Sequence, residues 1–83
     1  MATSFPVLLF AAARDLAGAD RVAVELAPGA TVADLRAALA ARVPALAGLL
    51  AKSAVAVNHD FADDDRVVEA GDEVAVVPPV SGG

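Results

Sequence analysis

The segment from Thr31 to Pro44 carries the strongest helix signal in the chain and limits the folds open to it. Thr31 is a typical N-cap residue, and Asp34 stands three positions later, as in a capping box with Asp in place of Glu. The apolar positions recur at i, i+3, i+7 and i+11: Val32, Leu35, Leu39 and Val43. Pro44 ends the helix, since the residue before a proline disfavours helical backbone. Arg36 and Arg42 lie off this apolar stripe, which is the pattern of a helix that packs one side against other elements.

The segments before this helix favour a β-hairpin. Residues 5–10 form a continuous apolar run, which predicts a buried strand with Pro6 tolerated near its start. Ala11–Ala17 is rich in alanine and is followed by Gly18, which predicts one or two helical turns. Arg21–Leu26 alternates polar and apolar residues, as a half-buried strand does, and its inward positions are Val22, Val24 and Leu26.

The segments after the helix are short. Residues 45–50 predict a further helical turn, and Ala54–Val57 predicts a strand. Residues 58–60 predict a tight turn, after which residues 61–62 begin a return strand. Residues 66–68 predict a brief extended stretch.

The last predicted strand gives the fold class. Gly71 and Asp72 form a turn, and the apolar character of residues 73–77 indicates a central place in the sheet. The chain is therefore predicted to be an α+β domain, with a mixed sheet of four or five strands packed against one main helix. We expect one domain over residues 1–77 and an extended tail over residues 78–83.

Composition excludes several classes of function. Hydrophobic residues make up 58% of only 83 residues, more than so small a domain can bury, which indicates an apolar docking surface. The net charge of -5 argues against nucleic-acid binding, which needs a basic face. The absence of cysteine excludes disulfides, thiolate metal sites and thiol nucleophiles. His59 is the only histidine, so a histidine metal cluster is excluded too.

The expected location is the cytoplasm. The apolar run at the start has an A-x-A pattern but no basic residue before it, which argues against a signal peptide. No run approaches the ~18–20 apolar residues of a membrane span.

Other polar residues have ordinary structural explanations. Residues 63–65 are three adjacent aspartates, and neighbouring side chains in an extended loop point in different directions. Since the three carboxylates do not converge on one ion, this pattern predicts a solvated loop rather than a cation site. His59 reads as a turn residue. Arg14 is either a plain surface charge or a contact to a partner.

The C-terminus offers the one unusual chemical group. Pro78 and Pro79 cannot extend the strand, and Gly82 and Gly83 end the chain without side chains, so the tail can enter a narrow site. Fully extended, its six residues span roughly 20 Å. A terminal carboxylate becomes reactive once it is activated, for instance as an acyl-adenylate. The alternative is a frayed terminus without a role.

With these features in order, the chain resembles the small subunit of molybdopterin synthase, a ubiquitin-like β-grasp sulfur carrier. The resemblance runs nearly from end to end. It is carried by the following residues: Phe10-Ala11, Arg14-Asp15-Leu16, Gly18, Thr31-Val32, Asp34-Leu35, Val57-Asn58, Gly71-Asp72-Glu73-Val74-Ala75 and Pro78-Pro79-Val80-Ser81-Gly82-Gly83.

The resemblance implies a role for the tail. A partner adenylating enzyme would activate Gly83 with ATP, after which the glycine would carry sulfur as a thiocarboxylate. Pro79, Val80, Ser81 and Gly82 would thread into the large synthase subunit. There the carrier would give its sulfur to cyclic pyranopterin monophosphate, forming the dithiolene of molybdopterin.

The resemblance also implies a docking surface and an assembly. Phe10, Arg14, Val77 and Pro78 stand at the expected partner-binding positions, although Val77 is aliphatic where the family is often aromatic. The expected assembly is a heterotetramer of two small and two large subunits. The chain itself is expected to bind no cofactor and no metal, and to contact neither nucleic acid nor membrane.

Two alternatives remain open from the sequence. The first is a sulfur carrier for thiamine or cysteine biosynthesis, or a ubiquitin-like protein modifier, since these share the Gly-Gly end. The second is a β-grasp binding module with an inert tail, for which deletion of Gly83 would change nothing.

Overall fold

The computed structural model describes residues 2–79. Its elements in chain order are β1 (Thr3–Leu9), α1 (Ala11–Ala17), β2 (Arg21–Leu26), α2 (Val32–Arg42), a 3-10 turn (Pro44–Leu46), α3 (Ala47–Leu50), β3 (Ala54–Val57), β4 (Asp60–Ala62) and β5 (Val74–Val77). The strands form one five-stranded sheet in the order β2-β1-β5-β3-β4.

The sheet is mixed, as predicted, and β5 is its central strand. β5 runs parallel to β1 and antiparallel to β3, and the other two pairs are antiparallel. Along β5, Val74 and Val76 are buried, whereas Ala75 and Val77 are half-buried. The helices cover one face of the sheet, and the other face is left open.

The main helix begins and packs as the sequence predicts. The backbone N–H of Asp34 donates to Thr31 Oγ1 at 3.3 Å, and the backbone N–H of Thr31 donates to Asp34 Oδ2 at 2.9 Å, which completes the capping box. Val32, Leu35 and Leu39 are fully buried against the sheet. Val43 lies just beyond the helix as its C-cap and is half-buried.

The first strand differs from the prediction in two ways. It begins at Thr3 and ends at Leu9, because its pairing with β2 extends to Thr3 opposite Leu26, while Phe10 becomes the N-cap of α1. It is also buried on one face only: Phe5, Val7 and Leu9 enter the core. The prediction of a buried strand was wrong for the other face, since helices cover only one side.

The region after β3 is tied to the start of α2 by backbone hydrogen bonds, such as the bond from the N–H of Val32 to the carbonyl of Arg66 at 2.9 Å. β4 begins at Asp60, and the brief stretch predicted at residues 66–68 is a single bridge between Val67 and Thr31. In the aspartate loop, Asp64 Oδ1 accepts a hydrogen bond from Arg36 Nε at 2.9 Å. Arg36 also donates to the carbonyl of Leu50, so it ties this loop to the end of α3.

Within residues 2–79 no helix has the length and apolar character needed to cross a bilayer.

Candidate interaction site

The open face of the sheet carries a row of apolar residues that we call the apolar patch. The strand register places Leu8, Ala75, Ala56 and Phe61 side by side across four neighbouring strands. Ala75 and Ala56 are small, so the row is a shallow depression between Leu8 and Phe61. Phe10, directly after β1, and Val77, at the C-terminal end of β5, complete the patch.

The two phenylalanines of the patch are left largely in solvent. Phe61 is 74% exposed and Phe10 is 48% exposed. Aromatic side chains are costly to leave in water and are enriched in protein interfaces. The patch is therefore a candidate site for contact with a partner protein.

Phe10 is presented by a sharp change of backbone direction. Its own backbone is extended, with φ −123° and ψ 155°, and the next residue, Ala11, has φ 50°. A left-handed alanine costs roughly 1–2 kcal/mol. The carbonyl of Phe10 accepts a hydrogen bond from the N–H of Ala13 at 3.1 Å, which holds the turn. The chain thus passes from β1 into α1 at once and leaves the Phe10 ring outside the core.

A groove continues from the patch to the root of the tail. It has a volume of about 620 Å³ and shares Phe10 and Val77 with the patch. Its other lining residues are Ala11, Ala12, Leu49, Lys52, Pro78 and Pro79. Pro78 is buried in its wall, whereas Pro79 is exposed. Lys52, the only lysine in the sequence, is the one cationic side chain in this lining.

The opposite end of the patch is polar and contains a tight turn. Asn58 and His59 both have left-handed backbone, with φ 53° and 72°, in the turn between β3 and β4. His59 Nε2 lies 3.1 Å from Glu73 Oε2 at the rim of the depression. The predicted turn at His59 is confirmed, and the structure adds this contact to Glu73.

Asn58 joins two motifs that lie 14 residues apart in the sequence. Its Nδ2 donates to Asp72 Oδ1 at 3.0 Å, and its Oδ1 accepts from the N–H of Glu73 at 2.9 Å. Asp72 also accepts from the N–H of Glu69 at 2.8 Å. The bond from the Glu69 backbone, followed by that from Asn58, lowers the pKa of the Asp72 carboxyl. This network fixes the position at which β5 enters the sheet.

The structure brings together some of the predicted site residues. Phe10, Val77, Pro78 and Pro79 all meet at the groove, whereas Arg14 is exposed on α1 and is absent from the linings of the patch and the groove. The other tail residues of the prediction, Val80, Ser81, Gly82 and Gly83, lie outside the described residues.

Sequence reasoning missed Phe61 and Leu8. Phe61 was read only as the start of a return strand, although an aromatic residue two positions after the Asn58-His59 turn was a usable signal. Leu8 belonged to a run taken as buried on both faces, so its place on the open face could be seen only from the register.

The described part of the chain contains no group of three or more acidic or histidine side chains placed to hold a metal ion. The arrangement of apolar patch, groove and tail root can bind a protein and direct the last residues of the chain toward it.

Comparisons with known proteins agree with this arrangement. The model of the ThiS family matches residues 7–83. The molybdopterin synthase sulfur carrier subunit of Chlamydomonas reinhardtii is 39% identical over 79 residues, which cover 93% of this chain and 95% of that protein.

Solved structures show the same fold. SAMP1 from Haloferax volcanii, a small archaeal modifier protein, superposes with a TM-score of 0.86 at 35% identity, covering 96% of this chain and 99% of that one. A putative molybdopterin converting factor subunit 1 from Pyrococcus furiosus has a TM-score of 0.83 at 32% identity, covering 94% and 99%. The chain therefore has the ubiquitin-like β-grasp fold that the sequence predicted.

Proposed function

The chain belongs to the ThiS family and to the family of molybdopterin synthase sulfur carrier subunits, and from this premise we propose that it carries sulfur on Gly83 for such a synthase. The observation that carries the proposal is the 39% identity to a sulfur carrier subunit over 93% of this chain and 95% of that protein.

The chemistry of the proposal resides in the terminal carboxylate. A partner adenylating enzyme joins the Gly83 carboxylate to AMP and releases pyrophosphate from ATP. A sulfur nucleophile then displaces AMP and leaves a thiocarboxylate. The thiocarboxylate sulfur forms a bond to cyclic pyranopterin monophosphate held by the large subunit, and water then cleaves the acyl–sulfur bond and restores the Gly83 carboxylate. Two loaded carriers supply the two sulfurs of one dithiolene. In this proposal the ATP is bound and consumed by the adenylating enzyme, and the chain itself holds no cofactor.

The geometry supports separate roles for the patch, which docks, and the tail, which carries the sulfur. The apolar patch docks on the large subunit through Phe61 and Phe10, and the groove fixes where the tail departs. From Pro79 onward, five extended residues reach about 16–18 Å, enough to enter a buried site. Glycine at positions 82 and 83 keeps the end of the chain thin. A heterotetramer with two large subunits in the cytoplasm remains the expected assembly and location.

A second candidate function is that of a protein modifier. It is favoured by the similarity to SAMP1 from Haloferax volcanii, at 35% identity over 96% of this chain. A modifier would pass the activated Gly83 to a lysine amine and form an isopeptide bond. Both candidates need the same activation step, and they differ in the acceptor.

One reconstitution separates these functions. The chain is incubated with an adenylating enzyme and ATP in two reactions, one that also contains sulfide, the large subunit and cyclic pyranopterin monophosphate, and one without sulfide that contains a lysine-rich cell extract. Conversion of the pterin to the dithiolene, in proportion to the carrier consumed, is the expected result. Covalent adducts on extract proteins without pterin conversion would favour the modifier. The Gly83-deleted chain is the control, and its full activity in either reaction would contradict both.

A further inference from the structure

The outer edge of β2 is a continuous, unprotected strand edge. β2 is an edge strand of the sheet, and its pairing with β1 runs without a bulge from Leu26 to Arg21. It has six residues and no proline, whereas the opposite edge strand, β4, has only three residues. Edge strands with these properties are open to pairing with another strand.

The backbone groups that face outward can be assigned from the ladder. The N–H of Leu9 donates to the carbonyl of Asp20 at 2.9 Å, so Leu9 and Asp20 form a hydrogen-bonded pair just beyond β2. Antiparallel pairs alternate, so Ala23, which stands opposite Pro6, belongs to a non-bonded pair. Proline has no N–H to give, which is consistent with this phase. The N–H and C=O groups of Arg21, Ala23 and Glu25 therefore point away from β1, and no strand within residues 2–79 accepts them.

The side chains along this edge are complementary to themselves. If the strand meets its own copy antiparallel about Ala23, Arg21 stands opposite Glu25 of the copy and Glu25 stands opposite its Arg21. All three outward residues then form hydrogen-bonded pairs. Opposite charges in directly facing positions stabilise antiparallel strands, and like charges destabilise them.

The space beside the strand can receive such a partner. A groove runs along this edge, lined by Ser4, Ala23, Val24, Glu25, Ala38 and Arg42. On the helix side, Val22 would face Val24 of the copy, and α2 presents the small side chain of Ala38 there. Arg21 and Glu25 are exposed, and neither forms an ion pair with a residue of the described chain.

We propose that the free edge of β2 is a self-association surface, on which a second copy of this chain pairs antiparallel about Ala23 and joins two sheets into one. The pairing leaves the apolar patch and the tail root uncovered, because the patch runs from Leu8 on β1 across β5, β3 and β4, away from this edge. It is a small surface, and the expected dissociation constant is weak, about 1 mM or somewhat below.

Amide hydrogen exchange of the unmodified chain tests the pairing. Raising the protein concentration to about 1 mM should slow exchange at Arg21, Ala23 and Glu25. Exchange at Val22 and Val24, whose amides already bond to β1, should stay unchanged and serves as the internal control. Exchange that does not depend on concentration at the three outward amides would overturn the proposal and leave this edge to another protein's strand.

Charge reversal tests the register. Arg21→Glu or Glu25→Arg places like charges opposite each other twice in the dimer, so each should weaken association at least about tenfold in sedimentation equilibrium. The double variant Arg21→Glu/Glu25→Arg should restore it, while Asp15→Arg, on α1, should change nothing. Raising the salt from about 0.01 M to 1 M should also weaken association. Single variants without effect, or a well-folded double variant without rescue, would overturn the proposed register.

Discussion

At the scale of single residues, the patch depends on where large and small side chains fall along one row of the sheet. Leu8 and Phe61 stand at its ends, and Ala75 and Ala56 lie between them. The alanines create a depression into which a partner's side chain can pack, and Phe61 supplies the largest area still in water. We expect Phe61 to contribute more to docking than any other side chain of the patch.

Phe61→Asp should therefore weaken binding to the large subunit by a factor of about 10 or more, because it removes an aromatic contact and buries a charge. The measurement is a titration by calorimetry. Val67→Asp is the matched control, since Val67 is 47% exposed and lies outside the patch and the groove. Equal affinity of the Phe61 variant and the unmodified chain would remove the patch from the interface.

Asp72 makes a pH-dependent contribution to stability. Its folded pKa lies below the usual value, so its contribution is fully present above the unfolded pKa of about 3.9 and is lost as the pH falls through the folded pKa. Asp72→Asn should lower the free energy of unfolding at neutral pH, and the gap to the unmodified chain should close below about pH 4. Urea unfolding across this range measures the gap. A gap of constant size would show that the bonds from Glu69 and Asn58 do not favour the ionised form.

Which residues form the site was only partly predictable at this scale. Phe10 and Val77 were found through the family resemblance, and the structure places both where the patch meets the groove. Phe61 and Leu8 were missed because their exposure depends on strand register, and register is a long-range property that a local pattern does not contain. The bonds between Asn58 and Asp72 were equally hidden, although each residue was read correctly as part of a turn.

At the scale of elements, the features that could be predicted are those that depend on neighbouring residues. The N-cap of α2 and its end before Pro44 depend on residues that are close in the sequence, and both were predicted correctly. So were α1, with Gly18 in left-handed conformation at its end, and the inward face of β2. β1 was predicted two residues late at its start, because Thr3 and Ser4 are polar and join the strand only through pairing with β2.

The capping box gives a test at this scale. Thr31→Ala removes the side chain that accepts from the Asp34 N–H and should lower the free energy of unfolding by about 1 kcal/mol. In a domain of this size such a loss lowers the melting temperature by about 4–8 °C. Sulfur loading at a temperature well below melting should be unaffected, because α2 lies on the face opposite the patch. A loading defect in the folded variant would mean that α2 also contacts the adenylating enzyme.

At the scale of the whole molecule, the central strand links the fold to its use. β5 is held on both sides, by β1 and β3, and the tail leaves directly from its end. The central place of β5 could be predicted, since the strand is apolar almost throughout, and the mixed sheet was expected from the family resemblance. Which strands flank it could not, because that choice depends on how all the elements pack together.

The proposed function requires Gly83 to be the group on which the chain carries sulfur. Intact-mass spectrometry after incubation with ATP, sulfide and the adenylating enzyme measures this directly, on the unmodified chain and on a chain lengthened by one alanine after Gly83. We predict that the unmodified chain gains the mass difference between sulfur and oxygen at its C-terminus, and that the lengthened chain gains nothing while melting at the same temperature. No gain in the unmodified chain with a competent adenylating enzyme, or equal loading of both chains, would contradict the claim.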